Sequence, residues 1–368
     1  MPSDLPFNFR APLLIAGFIS LVFGIAGGLL RLGWNISLPI GETAALHGPL
    51  MVCGFLGTVI SLERAVALRA RWSYLAPLSA GLGGIVLIAG LPWMLGVTLI
   101  TFGSIVLVAA SAYLYLQQRV LFLLTLLLGS TCWLLGNLLW LGGFPLIQVI
   151  PWWIGFLVLT IAGERLELSR MLPPSVTGRS VFVVIMVLML IGTVVATMIM
   201  PPDMTLLSAM LLALAFWLFQ HDIARHTIRQ KGLTRFIAIC LLSGYVWLLV
   251  GGLTGLSSPM LLPGSSYDAF LHAIFVGFVF SMIFGHAPVI FAALARVKVH
   301  YHPVFYVALA TLHVSLLARL LGDLLLIPHC RSAGGLLNAV ALALFVIIMA
   351  TAVMRGKRPH PKILFTHD

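Results

Sequence analysis

Four histidines of this sequence fall inside apolar stretches, where an ionisable side chain is costly and marks function by default: His47, His272, His286 and His313. His47 sits at the start of LHGPLMVCGFLGTVISLERAVAL (46–68) and His272 at the start of FLHAIFVGFVFSMIFGHAPVIF (270–291), so both are expected at one depth, just below the same face of a membrane. Small residues follow each of them (Gly48, Gly54 and Gly57; Ala273 and Gly277) and would let another helix or a flat ligand come close. Two neutral imidazoles on different helices, facing each other across a gap, are the usual axial ligands of a low-spin b-type haem. A covalent c-type haem is excluded, since no CxxCH occurs. His286 lies 14 residues beyond His272, ~21 Å further along an ideal helix and ~40° round it. His313, in TLHVSLLARLLGDLL (311–325), is expected near the depth of His286. That pair could hold a second haem or a copper ion, form a polar contact between helices, or handle a proton. Arg319 and Asp323 share one helix face at i,i+4, either as a plain ion pair or with Arg319 bound to haem propionates; Arg31 is a second propionate candidate.

The elements that position these residues are membrane helices. Hydrophobic residues make up 61% of the 368 positions and charged residues 8%, against about 25% charged in soluble domains. The fold expected is an all-α polytopic bundle, one transmembrane domain over 1–368, with about twelve helices. They are placed at 11–33, 45–68, 74–95, 97–117, 120–142, 146–168, 179–200, 204–224, 234–256, 269–293, 303–326 and 333–355. Turn residues mark the joints: Pro39, Pro92, Pro145, Pro173-Pro174, Pro201-Pro202, Pro263-Gly264 and Pro303. Basic residues fall in alternate loops: Arg69 and Arg71; Arg119; Arg170 and Arg179; Arg225, Arg229, Lys231 and Arg235; Arg296 and Lys298; then the tail with Arg355, Lys357, Arg358 and Lys362. By the positive-inside rule these loops and both termini are cytoplasmic, with Arg331 the main exception on the other side. The net charge of +11 is spread among short loops and forms no nucleic-acid patch. The four cysteines stand singly in apolar segments as small buried hydrophobes. Glu63-Arg64 and Glu164-Arg165 recur four helices apart at inner helix ends, which suggests a threefold repeat of four helices with the tenth as third member. Each is read as a Glu–Arg pair anchoring a helix at the interface. His221, Asp222 and His226 are expected to meet cytoplasmic water; His300, His302, His360 and His367 fall in loops or the tail.

A histidine opening the second helix as H-G-x-x-M and another opening the tenth of twelve distantly resembles the haem-copper oxidase catalytic subunit. The sequence is more similar to the NnrS family, through FRAPLLIAGF (9–18), LHGPLMVCGF (46–55) and HAIFVGFVFSM (272–282). That resemblance implies a bacterial inner-membrane protein with haem and metal, active in nitric oxide metabolism or membrane electron transfer. It departs from both families: the first position of an NnrS His-x-His pair is Ala45, and 146–200, where oxidases hold copper, contains no histidine. An oxygen-reducing centre of the oxidase type is excluded on that ground, while another oxidoreductase activity stays open. Beyond membrane lipid, the partners expected are a quinone or a redox protein; the oligomeric state is not readable. Two other functions compete: a twelve-helix secondary transporter, and a quinone-handling or structural subunit of a respiratory complex.

Overall fold

A computed structural model describes residues 5–36, 44–171, 176–258, 262–295 and 299–356. The positions assigned above to Pro39, Pro173-Pro174, Arg296, Lys298, Lys357, Arg358, His360, Lys362 and His367 lie outside the described residues.

Among the described residues there are no strands, and ten helices are long and apolar enough to cross a membrane. The chain is a membrane-embedded helical bundle. In chain order the rods are α1 (Phe7–Arg31), α2 (His47–Leu68), α3 (Leu75–Ile88), α4 (Trp93–Gln117), α5 (Leu121–Leu141) and α6 (Leu146–Leu168). They continue as α7 (Val176–Met198), α8 (Thr205–His221), α9 (Gly232–Ser257), α10 (Ser265–Ala293), α11 (Phe305–Leu324) and α12 (Pro328–Gly356). The two shorter rods are α3 and α8. A single 3-10 turn, Arg71–Tyr74, leads into α3, and the helix ends well before the expected residue 95. Gly90 takes φ +68°, which terminates a helix in the left-handed conformation, and Pro92 prevents its resumption.

Successive helices pack as neighbours, and α1 also meets α12. The centre is occupied by α2, α6 and α10: α10 touches both of the others, and α6 buries 78% of its apolar stretch against 28% for the rim helix α1. Phe7 of α1 and Met354 of α12 line one cavity, which puts the start of α1 and the end of α12 at the same end of the bundle.

The two histidine-bearing central helices share an irregularity. Residues Leu50–Gly57 of α2 and Ala273–Val279 of α10 are π-helical, each within a few residues of its histidine. Such i→i+5 segments are rare and frequent at functional sites. They wind the chain by less per residue than an α-helix, so the ~40° offset expected between His272 and His286 does not hold.

Candidate functional site

His47 of α2 and His272 of α10 line one cavity. It has a volume of about 290 Å³ and is bounded by α1, α2, α6, α10, α11 and α12. Their ring centroids are 6.3 Å apart and the ring planes differ by 8°. The backbone fixes each ring. His47 Nδ1 lies 2.7 Å from the Gly24 carbonyl of α1, and His272 Nδ1 lies 2.7 Å from the Asp268 carbonyl one turn back on its own helix. A carbonyl can only accept, so each Nδ1 carries the hydrogen, and each neutral ring keeps the lone pair on Nε2. This is the arrangement in which second-contact hydrogen bonds orient histidine metal ligands. Close approach depends on Gly28: a Cβ there would lie 2.8 Å from Cε1 and 2.9 Å from Nδ1 of His47.

Arg319 reaches this cavity, as expected, but it belongs to a cluster of four charges. Its Nη2 is 3.5 Å from Asp268 and its Nε 3.9 Å from Asp323. Arg331 pairs with the same two carboxylates, at 2.7 Å to Asp323 and in close contact with Asp268. The Arg331–Asp323 contact is a charge contact, because the Nε hydrogen is not directed at the carboxylate. Two arginines and two aspartates thus neutralise one another. Arg331, the exception to the charge rule, is accounted for by these partners. Arg31 lines the cavity at an exposed position and forms no ion pair with a described residue, which makes it the cation left for an acidic ligand group. Asp268 was missed by the sequence reading, although its position four residues before His272 on one helix was the available signal.

The deeper histidines do not share a site. His286 Nδ1 donates to the Met282 carbonyl at 2.7 Å, so its Nε2 lone pair is an acceptor, and Arg165 Nη2 sits 2.7 Å from it. His313 accepts at Nδ1 from the Trp247 indole at 2.9 Å and donates from Nε2 to Ser243 Oγ at 2.9 Å; the serine passes its hydrogen to the Cys240 carbonyl at 3.0 Å. Both nitrogens of His313 are therefore committed to a clamp between α9 and α11. Among the described residues, no group of three or more His, Cys, Asp or Glu could hold a bare metal ion.

The end carrying Glu63 and Glu164 also differs from expectation. Arg165 is buried rather than anchored at an interface, and its partners are His286 and Asp222, whose carboxylate is 4.0 Å away. Asp222, expected in water, is 1% exposed; its Oδ1 caps the following turn by accepting from Ala224 N at 2.6 Å. Glu63 and Glu164 form no ion pair with a described residue and line a second cavity of about 530 Å³. The two cavities share Leu56, Phe280 and Leu342 as a common wall. Of the cysteines, Cys53, Cys132 and Cys240 are buried as expected and Cys330 is exposed at the start of α12.

A family model described as Domain of unknown function (DUF8744) matches residues 10–354, and the chain belongs to that family. No curated protein and no solved structure matches it.

Proposed function

We propose that this member of the family is a membrane haem protein in which His47 and His272 bind one b-type haem iron from its two faces. One observation carries the reading: two parallel imidazoles at 6.3 Å, with neither Nε2 hydrogen-bonded to a described residue. Metal–imidazole bonds of about 2.0 Å, with roughly 1.2 Å from each ring centre to Nε2, put the centroids ~6.4 Å apart. A pair of histidines is also sufficient when a macrocycle supplies the remaining four ligands. The walls are mostly apolar, with Trp153, Phe275 and Phe280 among them, and Arg31 lines the cavity as the cation left for a propionate, Arg319 being paired with Asp268 and Asp323.

When bound, haem would supply one-electron chemistry. The chain's own part would be to hold the group through His47 and His272, exclude water with apolar walls and balance an acidic substituent with Arg31. Two histidines holding the group would leave no site on it for nitric oxide or oxygen, which favours membrane electron transfer over a gas-binding or oxygen-reducing role. Purified protein from haem-replete cells should show a Soret band and a narrow reduced α-band. Absence of both would sink the reading and return the secondary transporter as the better account.

Gly28 provides a sharper test. Gly28→Ala must displace the His47 ring or break its bond to Gly24, and overpacking of this kind costs about 1–3 kcal/mol. The expected result is a partial shift from a six-coordinate to a five-coordinate spectrum. Gly17→Ala on the same helix, whose Cβ meets Thr58 at an ordinary 3.4 Å, should leave the spectrum unchanged. Equal spectra for the two variants would contradict the placement of His47.

The proposal includes twelve membrane crossings, with α3 and α8 as the short ones, in a bacterial inner membrane with both termini cytoplasmic. Support comes from Arg69, Arg71, Arg119, Arg170, Arg225, Arg229 and Lys231, which cluster at the end of the bundle where Phe7 and Met354 lie. A reporter after Asp368 or near Lys231 should read cytoplasmic, and one between Pro263 and Tyr267 should read external. Same-side signals from Lys231 and Pro263 would refute this topology. A threefold repeat is supported by α2, α6 and α10 lining both cavities at four-helix intervals and by Glu-Arg ending the helical crossing in α2 and α6.

A further inference from the structure

We infer that the second cavity binds a lipid-soluble hydroquinone, with the ring between aromatic walls and its hydroxyls donating to Glu63 and Glu164. The cavity lies among α1, α2, α6, α10 and α12, and its volume is about 530 Å³. Its wall carries a chain of aromatic rings from three helices: Phe18 lies 5.7 Å from Phe55 and 6.4 Å from Phe291. Phe55 stacks at 6.3 Å on Phe280, one of the residues shared with the first cavity. Flat apolar surfaces of this kind favour a flat apolar ligand.

The polar groups narrow the choice. Glu63 and Glu164 both line the cavity without an ion pair to a described residue. Carboxylates lining a mostly apolar cavity are favoured by hydrogen-bond donors, so the fitting occupant brings them. His286 also lines the cavity, but both its nitrogens are engaged by Met282 and Arg165, which leaves recognition to the glutamates. A phospholipid or fatty acid would set its own negative charge against two carboxylates. A cationic amphiphile would have to compete with Arg64, which follows Glu63 on α2. A neutral ring with two hydroxyls and an apolar tail meets every one of these requirements. The shared wall of Leu56, Phe280 and Leu342 would set that ring beside the haem proposed above. Only the purpose of binding rests on the haem reading; the binding itself does not.

The test is an anaerobic titration of the purified full chain in detergent with decylubiquinol and, separately, with its dimethyl ether, which has the same ring and tail but no hydroxyl donors. Saturable binding of about one decylubiquinol per chain is expected, with the ether at least about ten-fold weaker. The double variant Glu63→Leu/Glu164→Leu should lose about the same factor for decylubiquinol and none for the ether. Val59→Trp, which fills the cavity from α2, should abolish binding of both. A retained haem spectrum in these variants reports that they fold. His272→Ala, without haem, should still bind. Equal affinity for both compounds, or unchanged binding in the glutamate variant, would overturn this inference and leave an apolar lipid pocket. Hydroxyl-dependent binding by a wild-type chain that never carries haem would overturn the outer-site reading alone.

Discussion

Replacing either His47 or His272 by Ala should abolish the narrow α-band of the reduced protein and lower bound haem about ten-fold or more, while membrane insertion persists. Each variant removes one of the two imidazoles that line the first cavity, and the other histidines of the apolar core bond elsewhere. A five-coordinate remnant is expected in His47→Ala in particular, because His272 is held by a carbonyl of its own helix and does not depend on α1. Quantifying haem per chain and comparing reduced spectra decides the matter. Wild-type spectra in both variants would remove the site.

Arg165→Met should be the most destabilising single change away from the His47–His272 pair. Arg165 is 2% exposed and ties α6 to His286 of α10 and to Asp222 at the end of α8. Its loss strands a buried carboxylate, and breaking one partner of a buried ion pair costs about 3–5 kcal/mol. Chemical denaturation in mixed micelles measures this. The double variant Arg165→Met/Asp222→Leu removes both charges and should recover much of the loss, less the cap that Asp222 gives to Ala224. A single variant within about 1 kcal/mol of wild type would show that the pair is idle.

What could be read from the sequence was mostly one-dimensional. Apolar length located the helices, and counting from the ends of α2 and α10 put His47 and His272 at one depth, where the structure brings them together. Angles and partners were less accessible. The π-helical run Ala273–Val279 lies between His272 and His286, so an ideal helical wheel misplaces the second histidine, which turns to Arg165. His313 is satisfied by Trp247 and Ser243, on a helix more than 50 positions earlier, and no local spacing announces such a contact. Asp222 and Arg165 looked like interface residues because each sits at a helix end; tertiary packing buries them. Asp268 alone was within reach, through its i,i+4 relation to His272.

Electron paramagnetic resonance of the oxidised protein tests the central claim most directly, because it reads both the axial ligands and their relative orientation. With two imidazole planes 8° apart on one iron, a single low-spin ferric signal is expected, with the rhombic g-pattern of near-parallel rings, and it should vanish in His47→Ala and in His272→Ala alike. A high-spin signal, the strongly anisotropic signal of perpendicular rings, or no ferric haem signal from haem-replete protein would contradict the account.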